Sequence, residues 1–165
     1  MVDLRYLTSV ISVSLFVYSG IDTEPLQYVT AQWVESVLHL MGLTVPKSGY
    51  IFQIGTVSAV IVKGCVVWPA ISLFVGLIVA TPGPSVLRKI AALVASVALL
   101  TAGNVLRLAG MFYMMEVWGV GFRLAHDVIG QLVGLAIVIL AAWVSFYIVP
   151  ETEDRLREII PWPGE

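Results

Sequence analysis

In 165 residues the sequence holds one cysteine, Cys65, and two histidines, His39 and His126. A lone thiol excludes an intrachain disulfide and a multi-cysteine metal site within one chain. Charge is also scarce: 12% of residues are Asp, Glu, Lys or Arg, against about 25% in soluble domains. Nor is there a basic surplus. Nine Lys and Arg face eleven Asp and Glu, for a formal net charge of -2. That leaves no cationic stripe for a nucleic acid, so no nucleic-acid partner is expected. Internal repeats and low-complexity tracts are absent.

Apolar surface is what the chain has instead. Hydrophobic residues make up 59% of it, and its mean hydropathy is +0.95. One water-facing globule cannot bury that much, which implies an integral membrane protein. The expected fold is an all-α, single transmembrane domain over residues 1–165. It has about four spans, near 3–20, 64–80, 86–115 and 126–149, and an extracytoplasmic segment over 21–63. The stretch Leu7–Tyr18 lacks a small-x-small cleavage pattern after it, so it reads as a retained first span and not as a signal peptide.

Within 21–63, Pro25 suits the first turn of a helix and Gly42 its end. Leu26, Val29, Trp33, Val37 and Leu40 recur at helical spacing between polar residues. They predict an amphipathic helix lying at a membrane surface. The next stretch, "TVPKSGYIFQIGTVSAVIVKGC", is β-branched and aromatic with Pro and Gly punctuation. It reads as a short extended or hairpin segment, with a buried helix through Ile54–Val62 as the competing reading. "TPGP" at Thr81–Pro84 ends the second span, and Ser85 is placed to cap the third. Arg155 and Arg157, among Glu151, Glu153, Asp154 and Glu158, predict a mixed, solvated tail.

With four spans, Arg5, Arg88, Lys89, Arg155 and Arg157 fall on one side, five of the nine basic residues. The positive-inside rule makes that side cytoplasmic. Nineteen residues separate Arg88 from Arg107, about 28 Å along a helix, close to the hydrocarbon thickness of about 30 Å. Arg107 is then expected at the outer surface, where Cys65 opens the second span and His126 opens the fourth. Three reactive side chains from three helices share one depth.

Their chemistry is complementary. A thiolate near a helix N-terminus is a nucleophile favoured by the macrodipole. An imidazole can take its proton and return it to a leaving group. Arg107 can stabilise an oxyanion or hold a carboxylate or phosphate. Asn104, on the same helical face as Arg107, can orient the guanidinium or donate to substrate. Asp127 adjoins His126, but neighbours on an α-helix point about 100° apart, so it is not expected to orient the imidazole. Each residue also has a structural reading alone: Cys65 as a small core residue, Arg107 snorkelling to headgroups, His126 at the interface, Asn104 bonding between helices. Met111, Met114 and Met115 read as packing residues, so no metal is expected, and no cofactor.

The ordered set of Cys65 in "KGC", Asn104 with Arg107, and His126 with Asp127, inside "GNVLRLAGMFYMMEVWGVGFRLAHDVIGQ", resembles the exosortase/archaeosortase family of membrane transpeptidases. The resemblance covers roughly Gly49 to Phe146. It implies an enzyme in the plasma membrane with its site facing outward. Its partners would be secreted proteins bearing C-terminal sorting tails: a short motif, a hydrophobic span and a basic end. Cys65 would form a thioester, His126 would act as acid and base, and Arg107 would assist the tetrahedral intermediate. The new C-terminus would pass to a lipid or surface acceptor. The small size is similar to the archaeal branch. One departure stands out: the family has a small hydroxyl residue and then glycine after the cysteine, whereas this chain has Val66 and Val67. The alternative function is a small transporter or channel-type protein using Arg107 and Asn104 as a polar site. A structural membrane partner anchored by Arg107 is a third.

Overall fold

The computed structural model describes residues 4–159. In chain order the elements are α1 (Leu4–Gly20), α2 (Glu24–Leu40), β1 (Lys47–Ser48), β2 (Ile51–Ile54) and β3 (Val57–Val60), then a 3₁₀ turn (Lys63–Val66). After these come α3 (Trp68–Ala80), α4 (Val86–Trp118), a π-helical turn (Leu124–Gly130), α5 (Gln131–Ile148) and α6 (Pro150–Ile159). The chain is therefore the helical membrane protein its composition implies. Among the described residues two helical runs, Val86–Trp118 and Leu124–Ile148, are long and apolar enough to cross a membrane, and α1 with α2 makes a third if counted as one broken span. At 33 residues, α4 is about 50 Å long and exceeds the hydrocarbon core of about 30 Å.

The second expected span differs in detail. Its helix, α3, begins at Trp68 and not at Gly64, and runs for 13 residues. Val67 explains the late start. Its backbone is left-handed, φ 49°, which an α-helix does not accommodate, and Pro69 then fits the opening turn of the new helix.

The chain divides into two compact units. The first comprises α1, α3, the beginning of α4, the end of α5, and α6. Here α1 and α3 approach closely: a Cβ on Gly76 would collide with Ser14 Oγ and with the Val10 carbonyl. Hydroxyls tie the elements together, Tyr6 to Thr81 at 3.3 Å and Thr81 to Thr152 at 3.0 Å. Cations close helix ends. Arg88 donates Nε and Nη2 to the Ile148 carbonyl at the end of α5 and pairs with Glu151, while Lys89 Nζ donates to the Val79 carbonyl of α3. Positive charge there complements the macrodipole. The expected solvated tail is instead α6, anchored by the fully buried Thr152 and laced by Arg157–Glu153 and Arg155–Glu158 pairs. Its acidic first turn and spaced opposite charges favour a helix that composition alone conceals.

The second unit comprises α2, the strands, the 3₁₀ turn, the end of α4, the π-helical turn and the start of α5. Pro25 lies in the first turn of α2, and Gly42 follows its end with φ 78°. This helix has two apolar faces. Ala31, Val34 and Leu38 are buried in the unit, whereas the expected stripe, including Leu26, Trp33 and Leu40, is exposed. The segment after α2 is a three-stranded antiparallel sheet in the order β1-β2-β3. A helix through Ile54–Val62 is ruled out by these strands, which Gly55 (φ 54°) joins in a two-residue turn. A Gly first in such a turn supplies the φ that a hairpin twist demands. Glu116 of α4 accepts the Gly55 N–H at 2.8 Å, and Phe52 meets Phe112 with ring centroids 5.0 Å apart. These contacts hold the sheet against the end of α4.

Candidate active site

All five candidate residues fall in the second unit. Cys65, half-buried and free, sits in the 3₁₀ turn immediately after the sheet. Its N–H donates to the Val62 carbonyl at 2.7 Å. The thiol therefore lies before the first turn of α3 and not within it, with the left-handed Val67 between. Val67 holds a glycine-type, left-handed conformation although its side chain is β-branched, at a strain of about 1–2 kcal/mol.

Asn104 links two of the expected partners. It is buried, donates Nδ2 to the Cys65 carbonyl at 2.6 Å, and accepts from Arg107 Nη2 at 2.9 Å. The bond from Arg107 follows from their i, i+3 placement on α4, while the bond to Cys65 depends on how the 3₁₀ turn packs against that helix. Arg107 Nη1 reaches the Gly130 carbonyl at 3.4 Å. Arg107 Nε is buried and has no hydrogen-bond partner. No carboxylate pairs with the guanidinium among the described residues.

His126 corrects one expectation. Its Nδ1 lies 2.8 Å from Asp127 Oδ1, so Asp127 does orient the imidazole. The 100° separation assumed for an α-helix does not apply. Residues 124–130 form a wider π turn, in which successive side chains diverge less. With Nδ1 donating to Asp127, Nε2 is the ring nitrogen left to take a proton. Phe122 stacks on the imidazole, centroids 5.1 Å apart and planes 9° from parallel.

Cys65 and His126 line one cleft of 320 Å³, with residues 57–62, Leu108, Met111, Phe112 and Phe122 as its other walls. Arg107 does not line it. The guanidinium borders a separate apolar cleft of 290 Å³ between α4 and the run from Ile129 to Ile137. Met111 forms part of both walls. A Cβ at Gly130 would come within 2.7 Å of its sulfur, and one at Gly103 within 2.8 Å of Ile137. Small residues thus set this helix spacing. The expected convergence of three side chains is resolved into a thiol and imidazole in one cleft, with the arginine joined to the cysteine backbone through Asn104. Among the described residues no group of three His, Cys, Asp or Glu side chains is set to hold a metal.

The family model for transmembrane exosortases matches residues 3–144. The chain belongs to that family. No curated protein and no solved structure matches it. Membership makes this exosortase-family chain a membrane transpeptidase or protease in general terms, acting on proteins that carry sorting signals.

Two elements of this exosortase site escaped the sequence reading. Phe122 stands four residues before His126, a spacing visible in the sequence but placed directly after the Gly119 and Gly121 loop, where no helix is signalled. The run 57–62 was legible as extended, yet nothing in one-dimensional pattern assigns a strand to the wall of a particular cleft.

Proposed function

We propose that this exosortase-family protein is a cysteine transpeptidase that cleaves C-terminal sorting tails of secreted proteins at the outer face of the plasma membrane. The Cys65 thiolate attacks the scissile carbonyl after His126 Nε2 takes the thiol proton. The tetrahedral intermediate collapses to a thioester on Cys65, and His126 returns the proton to the departing amine of the tail. A nucleophile on a lipid or surface acceptor then attacks the thioester, gives its proton to His126 and frees the thiol.

The observation that carries this reading is the cleft shared by Cys65 and His126, with Asp127 on Nδ1. It supplies nucleophile, base and orienting carboxylate in the order that activated-thiol chemistry requires. Arg107 supports it in two ways. Through Asn104 it fixes the carbonyl of the cysteine itself. Its permanent charge is also of the sign that stabilises the oxyanion of a tetrahedral intermediate. Asn104 is the positioning residue of the set. The basic loop at Arg88 and Lys89 supports an outward site through the positive-inside rule.

The test is to co-express a secreted reporter ending in an apolar span and basic terminus, and to read its new C-terminus by mass spectrometry. The wild-type protein is expected to process the tail, and His126→Ala to accumulate the intact form. Processing by Cys65→Ala at the wild-type rate overturns the thioester route.

A further inference from the structure

The wall of the thiol cleft is a strand edge. In the order β1-β2-β3, only one side of β3 is paired among the described residues. The register is Ile51↔Val60, Phe52↔Ala59, Gln53↔Ser58 and Ile54↔Val57, and Ile61 N–H donates to the Tyr50 carbonyl at 3.0 Å. Bonded and non-bonded pairs alternate in an antiparallel ladder. Ala59 and Val57 are therefore the residues bonded to β2, and the main-chain groups of Ser58 and Val60 point the other way. Gln53, opposite Ser58, agrees: its N–H turns toward the β1 side, to the Pro46 carbonyl at 2.9 Å.

The unpaired side faces the cleft. If one face of β3 lined the cleft, every second residue would border it, because side chains alternate. Instead all residues 57–62 line it consecutively, which is what an edge presents. Exposed strand edges are ordinarily blunted by charge, proline or a covering element. Residues 57–62 contain no charge and no proline. Val57, Val60 and Val62 are exposed, and the far wall is Leu108, Phe112 and Phe122. The strand then leads through Val62 straight into the turn that carries Cys65.

We propose that the open edge of β3 receives the substrate as an added strand: an uncharged, extended peptide segment pairs with the Ser58 and Val60 main chain and is thereby delivered to Cys65. The delivery step rests on the cysteine–histidine reading above; the strand pairing does not. Main-chain bonds supply affinity, and alternate side chains entering the apolar cleft supply selectivity. Such recognition demands extended, uncharged backbone with period-two apolar positions more than a fixed motif.

The experiment uses the full-length protein in lipid nanodiscs and a defined electrophile, acetyl-Val-Ala-Val-Ala vinyl sulfone. A series of analogues carries one backbone N-methyl group at each position in turn. Labelling of Cys65 is followed by intact-mass spectrometry, with iodoacetamide as a reagent that makes no strand contacts. N-methylation is expected to slow labelling about fivefold at alternate positions and hardly at those between, one main-chain hydrogen bond being lost each time. Val60→Pro, which removes an edge N–H without touching the β2 ladder, is expected to erase that alternation. The scan alters only the peptide, so it decides the question even if Val60→Pro fails to fold. Equal rates for every N-methyl analogue overturn the proposal. If alternation persists while iodoacetamide labels wild-type and His126→Ala protein equally, the strand stands and histidine activation of the thiol falls.

Discussion

The two units treat an arginine in opposite ways. In the first, Arg88 uses Nε, Nη1 and Nη2 on the Ile148 carbonyl and both Glu151 oxygens. In the second, Arg107 has a side-chain amide, one long bond to a carbonyl, and a buried Nε with no acceptor. Among the described residues each unit leaves one buried side-chain atom unpartnered, but in the first it is the neutral Ser14 hydroxyl. An unpaired neutral hydroxyl is a modest penalty, and an incompletely paired cation a larger one. The backbone contrast runs the same way. The first unit is stitched by hydroxyls and capped helix ends, while the second contains the left-handed Val67, a π-helical turn and an open strand edge. Departures from local ease concentrate around Cys65 and His126, the residues of the proposed active site.

The largest effect that tests this contrast is a paired substitution. Arg107→Ala is expected to lower kcat/KM for tail processing by about 100-fold or more, with thermal stability unchanged or raised because an under-bonded cation is removed. Arg88→Ala should do the reverse, costing about 1 kcal/mol of stability, with its partial exposure limiting the loss, and leaving activity per folded molecule intact. A similar loss of stability in both variants would erase the distinction between structural and functional arginines.

Val67→Gly probes the strain next to the thiol. Relieving a left-handed β-branched residue should stabilise the protein by about 1 kcal/mol, the gain being reduced by the added freedom of glycine in the unfolded chain. Differential scanning calorimetry in detergent would register it, and a drop in the unfolding temperature would show that Val67 packing outweighs its backbone strain.

The smallest effect is a pH dependence confined to the first unit. The Glu151 carboxyl is held below its ordinary value, first by its own backbone N–H and further by hydrogen bonds and charge from Arg88. A depressed folded value means the contribution is complete above the ordinary carboxylate range and disappears as pH falls through the lower, folded value. Thermal stability followed on acidification should fall slightly more for wild type than for Glu151→Gln. Parallel curves would mean that the ion pair adds nothing.

Much of this was visible in one dimension because it rests on composition and local periodicity. Hydropathy implied the membrane class, "TPGP" stopped α3, Ser85 sits at the start of α4 with its hydroxyl 3.4 Å from the Arg88 N–H, and Pro25 and Gly42 bracket α2. The ordered residues Cys65, Asn104, Arg107, His126 and Asp127 were singled out by pattern, and the family they suggested is the one whose model matches residues 3–144. The exposed stripe of α2 was found, but not the second face at Ala31, Val34 and Leu38, because small and branched residues there carry little periodic signal. Which side chains share a cleft was beyond the sequence, since that depends on contacts between segments far apart along the chain. Asp127 meets His126 only because the helix widens there, and β3 borders Cys65 only because Phe52, Phe112 and Glu116 hold the sheet to α4. Chemical type was written locally; adjacency, orientation and which backbone groups stay unpaired were decided by packing, where long-range contacts choose among conformations that local preference leaves nearly equal in energy.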